Sequence, residues 1–270
     1  MKKYFFAYSL FTQIQYCAQL PALQVENTST SAKDNIADHP LMSHYNMCIL
    51  YNLALRLSDT IDRNFRGKKQ VLVGLGQSPA YLLEMIKMID NKKSREDRRY
   101  ISAAFSGRKF LFDNEDGRIK KDPFLAERFN KVEPYYSRYL DSIGLSKEEL
   151  SKHDTEFIVL EVCRHCTGLA SFFDFFYTYS KKPSAYYLQS SDFKEVRFLD
   201  SNLKKIKIDT DEERLMVGLA NSDSYKDRIV AQFSYYKWET INPLAFQKEE
   251  NAQLIIEEIK KFVESPDINC

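Results

Sequence analysis

The stretch that most constrains this chain spans residues 156–179, EFIVLEVCRHCTGLASFFDFFYTY. It opens on an apolar run, Phe157-Ile158-Val159-Leu160, with the length and β-branched content of a strand buried on both faces. Small and polar residues follow, Cys163-Arg164-His165-Cys166-Thr167-Gly168. The period then changes. Leu169, Phe172, Phe173 and Phe176 fall at i, i+3, i+4 and i+7, which is one face of a helix. Buried strand, small-residue loop and helix, in that order, predict a parallel α/β sheet. Ligands bind such sheets at this junction, where the loop lies at the strand's carboxyl end and the helix start offers unpaired N–H groups.

A second unit of the same type lies upstream. Gln70-Val71-Leu72-Val73-Gly74-Leu75 reads as a strand and Gly76-Gln77 as a turn. Residues 80–90 read as a helix, with Ser78 placed to cap it, Pro79 in its first turn, and Leu82, Ile86 and Ile89 toward the sheet. Gly74 and Gly76 let backbone approach an anion, and the helix dipole favours negative charge there. A tight turn that simply needs glycine accounts for the same residues. The turn is neither a dinucleotide fingerprint, because Pro79 stands where GxGxxG needs its third glycine, nor a P-loop, because no Gly-Lys-Ser/Thr follows.

Around these units, Pro40 opens a long helical pattern with Leu50, Leu53, Leu57 and Ile61 on its buried face, ended by Gly67, Lys68 and Lys69. Residues 100–105 form the next expected strand, and 106–122 are loop-like and mixed in charge. Residues 123–131 and 134–144 suggest two short helices, and Ser146 with Glu149 a capping box. Residues 185–189 suggest a strand, 193–199 and 203–209 a hairpin, 210–220 a helix capped by Thr210 or Asp209, and 244–263 a terminal helix with Ile255, Ile259 and Phe262 inward. No repeat or low-complexity linker divides the chain. The expectation is one α/β domain over residues 1–270, Rossmann-like, three layers (α/β/α) around a mainly parallel sheet. Its core would span about 40–190, with 1–39 as an N-terminal segment and 191–270 packing on or hooding that core.

Lys plus Arg number 39 and Asp plus Glu 38, a net charge of +1 that argues against an obligatory nucleic-acid partner. The basic run at 91–99 is interrupted by Glu96 and Asp97 and reads as a solvated turn. No apolar run approaches the roughly 20 residues of a membrane span. Lys2 and Lys3 precede an aromatic segment as in a signal peptide, but Gln13, Gln15 and Gln19 break it, so an edge strand or docking segment is expected. Five scattered cysteines (Cys17, Cys48, Cys163, Cys166 and Cys270) are not a disulfide framework and suggest a reducing, cytoplasmic location.

Cys163-x-x-Cys166 at a helix start, beside Arg164 and His165, has the setting of a low-pKa redox thiol. With His165 and His153 it lacks the paired spacing of a zinc site, and no metal site is assigned. His39 and His44 border a helix start and read as capping or surface groups. Trp238 with Tyr235 and Tyr236 suits core packing or a base-stacking hood, and Arg228 suits either a phosphate or Asp227.

A strand ending in a loop with Thr167-Gly168 before a helix, preceded by a strand and the glycine turn at 74–78, resembles the type I phosphoribosyltransferases. The resemblance covers roughly residues 40–190. It implies a phosphorylated small molecule, a ribose phosphate or nucleotide, as partner. The later loop would hold ribose 5-phosphate, the earlier turn pyrophosphate, and residues 106–122 would match the family's mobile loop. The implied ligand set is Gly74, Gly76, Gln77, Ser78, Arg164, Thr167, Gly168 and Ser171. In the family that loop begins with two adjacent acids for the ribose hydroxyls, usually with magnesium nearby. Those positions here are Val162 and Cys163, and Glu161, one place earlier, is the candidate catalytic carboxylate, with magnesium as cofactor if the chain is an enzyme. The expectation is a phosphoribosyltransferase-like binder of phosphorylated ribose or nucleotide. The alternatives are a non-catalytic interaction protein on the same fold and a thiol oxidoreductase using Cys163 and Cys166.

Overall fold

The computed structural model describes residues 36–95, 97–104, 112–115, 118–121, 123–162, 169, 172, 184–190, 203–220, 227–230, 248–266 and 270. Pro40–Met42 forms a 3-10 turn, and helix α1 (His44–Phe65) starts after it behind Ser43. Leu50, Leu53, Leu57 and Ile61 are fully buried on one face of α1, as their spacing requires. Gly67 ends the helix in the left-handed region at φ +78°. Strand β1 (Lys69–Leu75), helix α2 (Ser78–Lys92) and strand β2 (Arg98–Ala103) follow.

Within the stretch expected to be loop, β3 (Phe112–Glu115) and β4 (Arg118–Lys121) pair as an antiparallel hairpin. Helix α3 (Pro123–Ser142) is continuous rather than two short helices. Pro134 lies inside it, where it forfeits one N–H bond without ending the helix. Helix α4 (Lys147–Leu150) has its expected cap, the Glu149 N–H donating to Ser146 Oγ at 3.2 Å. Strands β5 (Thr155–Val162), β6 (Ser184–Ser190) and β7 (Leu203–Ile208) precede helices α5 (Thr210–Ala220) and α6 (Glu250–Glu264). Asp209 caps α5 reciprocally: its Oδ1 accepts from the Glu212 N–H and its own N–H donates to Glu212 Oε2. Strand β7 pairs in parallel with β6, and the other arm of the expected hairpin, 193–199, lies outside the described residues.

The main sheet is five-stranded and parallel throughout, in the order β2-β1-β5-β6-β7. The chain steps outward from β1 to β2, then returns past β1 to β5 and continues in the opposite direction. Right-handed crossovers then put α2 on one face and the β2-to-β5 connection on the other. The side chains agree. A Cβ on Gly74 would meet Leu83 of α2 at 3.4 Å, so Gly74 and its lateral partner Leu160 face α2. Arg99 faces the other way, pairing with Glu149 of α4 at 3.2 Å. Helices α1, α5 and α6 pack with α2, which leaves α3 and α4 opposite: three layers.

The basic run at 91–99 is exposed at residues 91–94 and 97, as expected, but Arg95 and Arg98 turn inward. Arg98 and Asp90 pair at 2.7 Å with side chains 2% and 0% exposed. Arg95 and the Tyr100 hydroxyl bond the same carboxylate at 3.0 and 2.8 Å, Ser58 joins it, and Arg98 Nε donates to Gln70 at 2.7 Å. This network ties α1, α2, β1 and β2 together at the amino ends of the strands.

The cysteines also depart from expectation. Cys48 of α1 is disulfide-bonded to Cys270, 222 residues away. An odd cysteine count excludes a complete framework but not a single bridge, so the support for a reducing location falls away. Among the described residues no helix is long and apolar enough to cross a membrane.

Candidate functional site

The strand order reverses between β1 and β5, and a crevice at such a switch point, outside the carboxyl ends of the strands, is where open α/β sheets take ligands. Gly74 is in register with Leu160, so the turn after β1 lies beside the carboxyl end of β5, on neighbouring strands about 4.8 Å apart.

The β1–α2 turn is built on Gly76, at φ +78°, a conformation other L-residues adopt at a cost. The Gly76 N–H donates to the Ala103 carbonyl at 2.8 Å, tying the turn to β2. Gln77, not Ser78, is the N-cap, and Ser78 and Pro79 are the first helical residues. The Gln77 side chain is engaged at both ends, its Nε2 donating to the Asp227 carbonyl at 3.1 Å and its Oε1 accepting from the Ile229 N–H at 3.2 Å. Tyr81 donates to the same Asp227 carbonyl at 2.6 Å. Among the described residues, the backbone N–H groups of Gln77 and Ser78 have no backbone acceptor, and both residues are half-buried. These two amides are what the turn can offer an anion. Gly74 lies under α2, where a Cβ would meet Leu83 at 3.4 Å and Pro79 at 3.6 Å, ordinary contact distances.

Glu161 stands near the carboxyl end of β5. It alternates with Val159 and Phe157, so it points to the face of α3 and α4, beside Tyr187 of β6. The residue is partly exposed, but its Oε2 is enclosed and has no hydrogen-bond partner among the described residues. Burial pushes its carboxyl up to about 8. At neutral pH Glu161 is therefore a neutral acid, able to donate one hydrogen bond.

Reasoning from sequence missed a second feature of this edge. His39 caps the 3-10 turn, its Nδ1 accepting from the Leu41 N–H at 3.2 Å, but it is buried rather than on the surface. Its Nε2 lies 3.5 Å from Asp227 Oδ2, and its ring packs 5.4 Å from that of Tyr81. Burial lowers the His39 pKa, and the Asp227 carboxylate opposes that shift less strongly. The Leu41 bond puts the proton of the neutral ring on Nε2, toward Asp227. Together His39, Tyr81 and Gln77 clamp residues 227–229 against the turn. The Pro40 signal located the cap; nothing in the spacing joins it to a residue 188 positions on.

Arg164, Thr167, Gly168 and Ser171 lie outside the described residues, as do Cys163, Cys166, Trp238, Tyr235 and Tyr236. Leu169 and Phe172 are helical and buried, as their spacing requires. Two open clefts flank the start of α1. One of about 340 Å³ runs against α6 (His44, Met47, Glu258, Phe262), and one of about 300 Å³ against α5 (Tyr45, Ile49, Asp211, Arg214). Compared with protein-family models and with curated proteins, the chain matches none.

Proposed function

We propose that this chain binds a phosphorylated ribose or nucleotide at the carboxyl edge of its sheet, between β1 and β5. The observation that carries the reading is the reversal of strand order at that pair, with an anion-compatible turn on one strand and an enclosed carboxyl at the end of the other. In this reading the amides of Gln77 and Ser78 and the Ser78 hydroxyl hold phosphate, with Gly74 and Gly76 shaping the turn. Arg164, Thr167, Gly168 and Ser171, following β5, complete the set, Arg164 supplying charge.

The state of Glu161 favours binding over metal-assisted transfer. A hard cation wants charged oxygen ligands, and a neutral carboxyl is a poor one. Below pH 8 Glu161 would donate a hydrogen bond to a ribose hydroxyl or phosphate oxygen, the behaviour of a non-catalytic member of this fold type. Ionised at higher pH, it would become the carboxylate a magnesium-dependent transferase needs.

Calorimetric titration with phosphoribosyl pyrophosphate and with a nucleoside monophosphate, at pH 7 with and without magnesium, tests this. The expected result is saturable one-to-one heat with either ligand, lowered about tenfold or more by Thr167→Val or by Ser78→Ala, a loss of about 1.4 kcal/mol or more. No heat with any phosphorylated ligand would end the proposal.

A further inference from the structure

His44 and Cys48 lie one turn apart on α1, and the bridge joins Cys270 to Cys48. The His44 ring nitrogen is 3.5 Å from Cys48 Sγ, and the imidazole nitrogen and both sulfurs all lie within 4.8 Å of one another. Two further contacts hold this arrangement. Asn52 Nδ2 donates to the main-chain oxygen of Cys270 at 2.9 Å, and the His44 ring packs 5.7 Å from the ring of Phe262 on α6. Cys48 and Cys270 are half-buried and His44 is exposed, so reductants and ions can reach the group.

We propose that Cys48, Cys270 and His44 form a redox-gated site for a thiophilic divalent cation, zinc above all. In the bridged state both sulfurs are bonded to each other and the site is closed. A dithiol reductant opens it: two electrons pass to the bridge, the dithiol becomes a cyclic disulfide, and its two protons end on the cysteine sulfurs. Zinc then binds the two sulfurs and the neutral imidazole nitrogen, and the two thiol protons leave to solvent. Zinc bonds of about 2.3 Å to sulfur and 2.0–2.1 Å to nitrogen put tetrahedral ligands roughly 3.5–3.8 Å apart. The nitrogen already stands at that spacing from Cys48, and the Cys270 sulfur, within 4.8 Å of it, moves away from Cys48 by side-chain rotation. Three protein ligands leave the fourth position to water, so the site is of the open kind.

The test uses the full chain with Cys17, Cys163 and Cys166 changed to serine, so that only this pair of thiols remains. The protein is reduced with a dithiol, desalted without oxygen, and titrated with cobalt(II) as a spectroscopic stand-in for zinc. The expected result is one equivalent of cobalt with thiolate-to-cobalt absorption in the near ultraviolet, displaced by zinc and absent before reduction. His44→Asn should weaken binding about tenfold or more and shift the visible bands, while far-ultraviolet circular dichroism stays unchanged. No thiolate absorption in the reduced protein would overturn the proposal, as would unchanged bands and affinity in Cys48→Ser. His44→Asn binding as tightly as the parent would remove histidine from the site and overturn it equally. None of these outcomes bears on phosphate binding at the strand ends, which is assayed separately.

Discussion

Gly74 and Leu160 are lateral neighbours in a parallel ladder, with Gly74 one residue from the end of β1 and Leu160 two from the end of β5. That single register brings the glycine turn and the carboxyl end of β5 to one edge of the sheet. A strand inserted between β1 and β5 would have separated them.

The two glycines of the turn should respond differently to alanine. Gly76→Ala forces a side chain into the left-handed region and should cost about 1–2 kcal/mol. Gly74→Ala meets Leu83 only at ordinary contact distance and should be neutral, or stabilising by up to about 1 kcal/mol. Urea midpoints of the two variants decide between a turn that needs glycine twice and one that needs it once.

Glu161 should leave its mark on the pH dependence of stability. Its pKa rises from an ordinary 4.5 to about 8 on folding, so between those values the folded chain keeps a proton that the unfolded chain has released. Stability from this group therefore falls as pH rises across that window, by about 1.4 kcal/mol per unit, and levels off above it. Glu161→Gln should remove the slope. Equal slopes in the two proteins would show that the carboxyl is not enclosed.

His39 works in the opposite sense. Its pKa is lowered by burial, so as pH falls below 6.5 the unfolded chain takes up a proton before the folded one, and stability drops. His39→Asn keeps an oxygen to accept from Leu41 but cannot titrate. Its denaturation midpoint should vary less than that of the parent between pH 6.5 and 5.

The Asp90–Arg98 pair is buried, and removing either charge leaves the other enclosed with only a more distant partner, Arg95 at 3.0 Å for Asp90 and Asp62 at 3.5 Å for Arg98. Asp90→Asn or Arg98→Met should each cost about 3–5 kcal/mol, and the double variant well under the sum of the two. Additive losses in a double-mutant cycle would mean that the two side chains do not depend on each other.

What could be read from the residues alone was periodic. The apolar runs at 71–75 and 157–160, the spacing of Leu50, Leu53, Leu57 and Ile61, and the turn residues between them suffice for a parallel sheet with helices. Periodicity says nothing about lateral order, so the switch point between β1 and β5 emerged only with pairing partners. The inward turn of Arg95 and Arg98 has no signal in the residues, because a charge run looks solvated wherever its counter-charges fall. Their partner Asp90 sits on the helix before them and reads there as a polar end. Pro134 looked like a boundary because its missing N–H penalises a helix interior, but α3 has enough buried contact in Tyr136, Tyr139 and Leu140 to carry it. The His39–Asp227 approach and the Cys48–Cys270 bond join segments with no local signal connecting them.

The bridge between Cys48 and Cys270 turns most of the chain into a covalent ring. One protease cut anywhere between those two residues would open the ring without releasing a fragment, and the nicked molecule would keep its full mass until the sulfur link is reduced. Limited digestion of this protein therefore gives two different band patterns, with and without thiol, and their difference maps which cuts fall inside the ring.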